Sequence, residues 1–254
     1  MANRLLTLAR NLRRRKARER EALFVAEGIR GVEELLGSPL DVRGALVTSR
    51  LTESDRGTSL LERLRSSGIP TEEVSLQDFE SAAETESPQG ILAIAAVPVQ
   101  RLEDIPRGET LRLLILDAVQ DPGNVGTMLR TAVAFGATAT FSLPGTVDLW
   151  NAKVVRSGMG AHFHHPCLNG TWDELDSFRR ERSVDVWAAD AGGESIEQLS
   201  PPARLAVVVG NEGGGLSPQS RERADRLVAL PISADVESLN VAVAAGILLY
   251  EFRR

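Results

Sequence analysis

Residues 111–119, LRLLILDAV, are apolar almost without interruption, and no other feature of the 254-residue sequence restricts its fold as much. A strand with one face in water alternates; a strand covered on both faces does not need to. TATFSL at 138–143, VDVWAAD at 184–190 and LAVVVG at 205–210 follow, with helical patterns between them. Strands alternating with helices imply a mostly parallel sheet, so the chain reads as an α/β protein.

The first hundred residues have a different texture. Leu5, Leu6, Leu8 and Leu12, then Leu23 and Phe24, mark the apolar positions of a basic helix. EGIRGVEELLG predicts a second helix closed by Gly37, VRGALVTSR a strand, SLLERLRSSG a helix ending at Gly68, and GILAIAAVPV an apolar strand stopped by Pro98. The stretch VPVQRLEDIPRGETLR lacks a sustained apolar period and is the best linker. The expected division is a domain over 1–96, a linker over 97–110 and a second domain over 111–254.

Composition excludes several classes. At 43% hydrophobic and 25% charged the chain is globular rather than disordered. Its lone Cys167 can form no internal disulfide, and no run of about 20 apolar residues offers a membrane span. The first 21 residues do not read as a secretory signal, so a cytoplasmic protein without a membrane role is expected. Net charge is -6, yet residues 1–20 hold eight basic side chains and one acidic, whereas 53–86 hold nine acidic and three basic. A polyanion should be steered to the N-terminal arm.

Three clusters stand at the ends of predicted strands, where open α/β sheets bind ligands. After Asp117, Asp121-Pro122-Gly123-Asn124 supplies a turn and a helix cap, and a helix from about Val125 carries Arg130 among Leu129, Val133 and Phe135. A long cation on an apolar helix face needs a partner. LAVVVG then runs into Gly210-Asn211-Glu212-Gly213-Gly214-Gly215, whose glycines permit close backbone approach but match neither a dinucleotide fingerprint nor a P-loop. Finally Leu230-Pro231-Ile232 leaves a strand, and Glu237-Ser238-Leu239-Asn240 opens an apolar, small-residue helix expected to be buried. Ser238 reads as its ordinary N-cap; Asn240 is harder to explain.

Together the clusters, D-P-x-N-x-G with R-T-A, N-E-G-x-G and S-L-N-V-A-x-A, resemble in order the three motifs of the SpoU/TrmH family of RNA ribose 2′-O-methyltransferases, within the SPOUT superfamily. Residues 10–95 are similar to that family's ribosomal-protein-like substrate-binding domain, through Arg18, Phe24, Glu27-Gly28-Ile29-Arg30 and Gln89-Gly90-Ile91-Leu92-Ala93. The resemblance implies a SPOUT domain with a deep trefoil knot, S-adenosylmethionine as methyl donor, and a homodimer formed through the C-terminal domain. It implies donor contacts from Gly210, Leu230, Ile232 and Leu239, and catalytic positions at Asn124, Arg130, Glu212, Ser238 and Asn240. Arg13, Arg14, Arg15, Lys16, Arg18 and Arg30 are the expected RNA contacts. Ribosomal RNA is the favoured substrate, because transfer-RNA members typically lack the N-terminal domain and extend at the C-terminus; the alternatives are a non-catalytic RNA-binding ribosome-assembly protein that retains the fold and a 2′-O-methyltransferase acting on transfer RNA. His162, His164 and His165 beside Cys167 lack a usual zinc spacing, and no metal is expected. They stand after Arg156-Ser157-Gly158, a stretch that the resemblance assigns to the RNA cleft.

Overall fold

A computed structural model describes residues 4–233 and 235–253; positions 1–3 of the basic arm, position 234 near the third cluster and position 254 lie outside the described residues. The chain divides into two compact units, Met1–Val99 with Trp150–His164, and Gln100–Leu149 with His165–Arg254. Sequence order places Trp150–His164 in the second domain, but its contacts group it with the first.

The first unit is built on a four-stranded sheet of order β1-β4-β2-β3 (Leu23–Glu27, Ile91–Ala96, Val42–Val47, Thr71–Glu73). Helix α1 (Arg4–Leu12) buries Leu6, Ala9 and Leu12 against Leu46, Leu92, Ile94 and Phe79. Leu23 and Phe24 do not continue this helix as expected. The chain breaks after Leu12, forms the short α2 (Arg15–Glu21), turns through Ala22 at a positive φ of 51°, and enters β1 paired with β4. The remaining helices are α3 (Ile29–Leu36), α4 (Asp55–Ser66), α5 (Leu76–Ala82) and, from the later segment, α7 (Ala152–Gly158). Phe24 stacks at 4.6 Å on Trp150, which fixes that tryptophan as a core residue.

The second unit holds a six-stranded sheet of order β10-β8-β9-β5-β6-β7, with every pairing between these strands parallel. The strands are β5 (Leu111–Leu116), β6 (Ala139–Ser142), β7 (Cys167–Asn169), β8 (Asp185–Ser195), β9 (Arg204–Val209) and β10 (Arg226–Ala229). All six residues of β5 are buried, as its uninterrupted apolar run requires. One core gathers Leu113, Ile115, Phe141, Val208, Trp172 and Leu175. The helices are α6 (Pro122–Ala134), α8 (Trp172–Arg182), α9 (Pro218–Arg223) and α10 (Val241–Glu251). Helix α10 is less buried than its composition suggested, because Val243, Ile247 and Tyr250 are exposed.

From β5 the chain adds β6 and β7 on one side, then returns to lay β9 on the other. The switch in winding direction falls between β5 and β9, so ligand chemistry is expected at the carboxyl ends of the strands on this side of the sheet.

Candidate functional site

A cleft of about 670 Å³ opens in the second unit beside β8 and past the carboxyl ends of β9 and β10. Gly210 and Glu212 line it after β9, Leu230 and Ile232 after β10, and Ser238, Leu239 and Asn240 before α10. Seven of the nine residues assigned to donor binding or catalysis thus meet there. Asn124 and Arg130 are not lining residues.

Asn124 joins the cleft through its side chain. The cap of α6 is Asp121, whose carboxylate accepts from the Asn124 amide at 2.7 Å, so the Asn124 carboxamide is not spent as the cap that sequence offered for it. Its Nδ2 donates to Glu212 Oε1 at 3.1 Å, and its Oδ1 accepts from Asn240 Nδ2 at 3.0 Å. Asn240, not Ser238, is the cap of α10: its Oδ1 accepts from the amides of Ala242 and Val243. One carboxamide therefore starts α10 with its oxygen and reaches the first turn of α6 with its nitrogen. The chain Glu212, Asn124, Asn240 links all three sequence clusters.

Glu212 also accepts from the amides of Asp121 at 3.0 Å and Gln120 at 3.3 Å. Partial burial works to raise its pKa, but its own backbone, the Asn124 side chain and these two amides outweigh that and hold the carboxyl below its ordinary value. Glu212 is thus an ionised anchor at neutral pH.

The glycine loop is held by Asn211, whose Nδ2 donates to the Ala118 carbonyl and whose Oδ1 accepts from Gly213 and Gly214. A Cβ at Gly210 would lie 2.4 Å from the Gly215 carbonyl, so this glycine is required by the returning backbone itself. Asp117, buried at the end of β5, accepts from the Ser217 amide at 2.7 Å and ties the far side of the loop to the sheet. Sequence reasoning gave Asn211 no role, and it missed Asp190 and Arg221, an ion pair on the cleft wall. Asp190 stands at the end of a predicted strand, the signal that marked Asp117.

Several side chains depart from expectation. Arg130 is exposed rather than enclosed in an apolar face. Arg18 is 5% exposed and donates to the carbonyls of Leu12 and Arg13 at 2.7 and 3.0 Å, closing the end of α1, so it is not turned toward a phosphate. Arg13, Arg14, Arg15 and Lys16 are exposed, with Arg13 bonded to the Ser81 carbonyl and Arg15 to Glu19. The arm does not stand clear of the acidic stretch, since Arg10 pairs with Asp78 at 2.8 Å. His162 and His165 are buried and His164 is exposed; His165 Nε2 lies 2.9 Å from Thr140 Oγ1. Burial lowers His165 to about 4 and raises the Cys167 thiol to about 12, so neither is charged at neutral pH.

With this geometry in view, the SpoU rRNA Methylase family matches residues 112–250 and an MRM3-like substrate binding domain matches residues 3–93. The chain belongs to the SpoU rRNA methylase family. It is 36% identical to the Bacillus subtilis 23S rRNA (guanosine(2553)-2′-O)-methyltransferase RlmP, over 96% of this chain and 94% of that protein. Among solved structures, an AdoMet-bound rRNA methyltransferase from Sinorhizobium meliloti superposes with a TM-score of 0.87 at 26% identity, covering 100% of this chain and 95% of the other. The SpoU methyltransferase AviRb from Streptomyces viridochromogenes, in complex with AdoMet, also gives 0.87 at 25% identity, covering 99% and 97%. Membership matches the motif resemblance and the parallel α/β sheet.

Proposed function

We propose that this chain transfers a methyl group from S-adenosylmethionine to a ribose 2′-hydroxyl of ribosomal RNA. The observation that carries the reading is the cleft past the carboxyl ends of β9 and β10, on whose rim the hydrogen-bonded chain runs from Glu212 through Asn124 to Asn240. The donor fits there on chemical grounds: Val209, Val228, Leu230 and Leu239 offer apolar walls to an adenosyl group, and the polar rim of Glu212, Ser238 and Asn240 suits its charged end. Gly210, Leu230, Ile232 and Leu239 would hold it. When bound, the sulfonium supplies an electrophilic methyl carbon.

The protein's part is placement. Setting the hydroxyl about 3 Å from that carbon, in line with the breaking bond, supplies much of the rate. Arg130 offers a guanidinium, a donor of hydrogen bonds and not an acceptor, and so clamps a neighbouring phosphate and stabilises the developing alkoxide, the hydroxyl proton passing to water. Glu212 and Asn124 order the site, with Ser238 and Asn240 shaping the start of α10. Arg13, Arg14, Arg15 and Lys16 meet RNA phosphates from the first unit. The exposed apolar face of α10 supports a homodimer, and the similarity to a bacterial 23S rRNA methyltransferase supports a cytoplasmic setting. Family membership supports a trefoil knot threaded by the second and third clusters.

Titration calorimetry of the intact chain with S-adenosylmethionine, joined to ribose-methylation mapping of ribosomal RNA incubated with both, tests the proposal. Saturable donor binding and one new 2′-O-methyl site are expected. Donor binding without any RNA methylation would overturn the substrate assignment; no donor binding would overturn the whole reading.

A further inference from the structure

We infer that a second cleft, with all its walls in the first unit, receives a single unpaired nucleotide of the substrate RNA. The inference rests on the reading that this chain acts on RNA, and adds to it a site separate from the donor cleft.

This cavity measures about 300 Å³, room for one nucleotide and too little for a duplex. Arg30, on the first turn of α3, and Arg156, on the last turn of α7, both line it and both are exposed. Neither guanidinium has a hydrogen-bond or ion-pair partner among the described residues, whereas Arg10, Arg20, Arg43 and Arg56 of the same unit are each paired with a carboxylate. Glu33, whose charge reaches Arg30 along α3, is itself held by Arg56, so two guanidinium forks without a hydrogen-bond partner line one small cleft beside the amide end of α3 and form a place for a phosphate.

The cleft is built rather than incidental. Glu27, 7% exposed, accepts from the Glu84 amide at 2.9 Å and from the Thr85 hydroxyl, pinning the loop that forms one wall. Gln89 Oε1 accepts from the Ile29 amide at 2.9 Å and fixes the turn at Gly28, whose φ is +90°. A carboxylate has about four acceptor positions, so Glu27 retains two for the N–H groups of a base edge. Val155 and Met159 add apolar surface against which a base can lie.

Gly31 is the independent observation. It lies inside α3, where glycine is less stable than alanine, and it lines the cleft. A Cβ there would meet nothing within 4 Å, so no packing within the protein demands its absence. A ligand that occupies this space does demand it.

The test uses the full chain and a fluorescent single-stranded decaribonucleotide, with affinity measured at several salt concentrations. Gly31→Leu should fold with an unchanged or higher Tm yet bind this RNA at least tenfold more weakly. Arg30→Gln and Arg156→Gln should each flatten the slope of log affinity against log salt by about 0.7, the value of one phosphate on a single strand. S-adenosylmethionine affinity should stay at the wild-type value in all three. Wild-type RNA affinity in Gly31→Leu together with unchanged slopes in both arginine variants would overturn the site while leaving the methyltransferase reading intact. A wild-type chain that binds no RNA would overturn both. Should Gly31→Leu fail to fold, the glycine argument falls and the two slopes decide.

Discussion

Arg130 and Asn124 stand on the same helix with opposite duties, one exposed to what arrives and the other bonded inward. Arg130→Ala should leave donor affinity unchanged while slowing methyl transfer by two orders of magnitude or more, about 3 kcal/mol at the transition state. Single-turnover kinetics check this, and near-normal turnover would remove Arg130 from the chemistry. Asn124→Ala takes both a donor from Glu212 and an acceptor from Asn240, so it should lower Tm as well as the rate. His165 gives a pH dependence with a definite sign. Its folded value of about 4 lies below the ordinary 6.5, so its contribution is fully present above pH 6.5 and is lost as pH falls toward 4. The loss amounts to about 3 kcal/mol at most. In His165→Gln, which can still meet Thr140, Tm should fall less between pH 7 and pH 4.5 than in the wild type; parallel curves would show that another group governs the acid limb.

At the scale of elements, what the sequence made legible followed from local rules. An uninterrupted apolar run became the central β5, Asp121 before Pro122 became the cap and first turn of α6, and Gly68 closed α4 at a positive φ. Asp121→Ala should lower stability by about 1 kcal/mol, a shift of roughly 2–4 °C in Tm for a domain of this size, measurable by calorimetry. The Asp121 amide that donates to Glu212 belongs to the backbone and is kept in this variant, so donor affinity should change little. Other elements carried no local mark. Strand β3 is three residues long, and α5 offers only Phe79 and Ala82 as buried positions, too few to show a period. LRRRKARERE favours helix throughout, and only the inward turn of Arg18 onto the carbonyls of Leu12 and Arg13 accounts for the break between α1 and α2. The candidate site divides in the same way. Its residue types stood out at strand ends, but which asparagine caps and which one bridges depends on partners 88 and 116 positions away.

For the whole molecule, the apolar stripe on α10 decides the proposed assembly. Val243, Ile247 and Tyr250 recur at helical spacing and are 52%, 39% and 46% exposed, with Val133 of α6 exposed at 41%. Phe135 and Tyr250 meet edge to face at 5.5 Å, so α6 and α10 present this surface together. In a monomer the stripe faces water; in a two-fold pair the same patch covers itself on both copies, the self-complementary arrangement that closed symmetry produces. A charge placed at its centre is buried twice, once per copy, beside its own like-charged image. Ile247→Glu should therefore sediment as a monomer at micromolar concentration where the wild type sediments at twice the monomer mass. Val99→Glu is the control, because Val99 is 86% exposed and lies on neither helix, so its variant should remain dimeric. A wild-type monomer, or an Ile247→Glu variant that still pairs, would mean that this face is not the interface between copies.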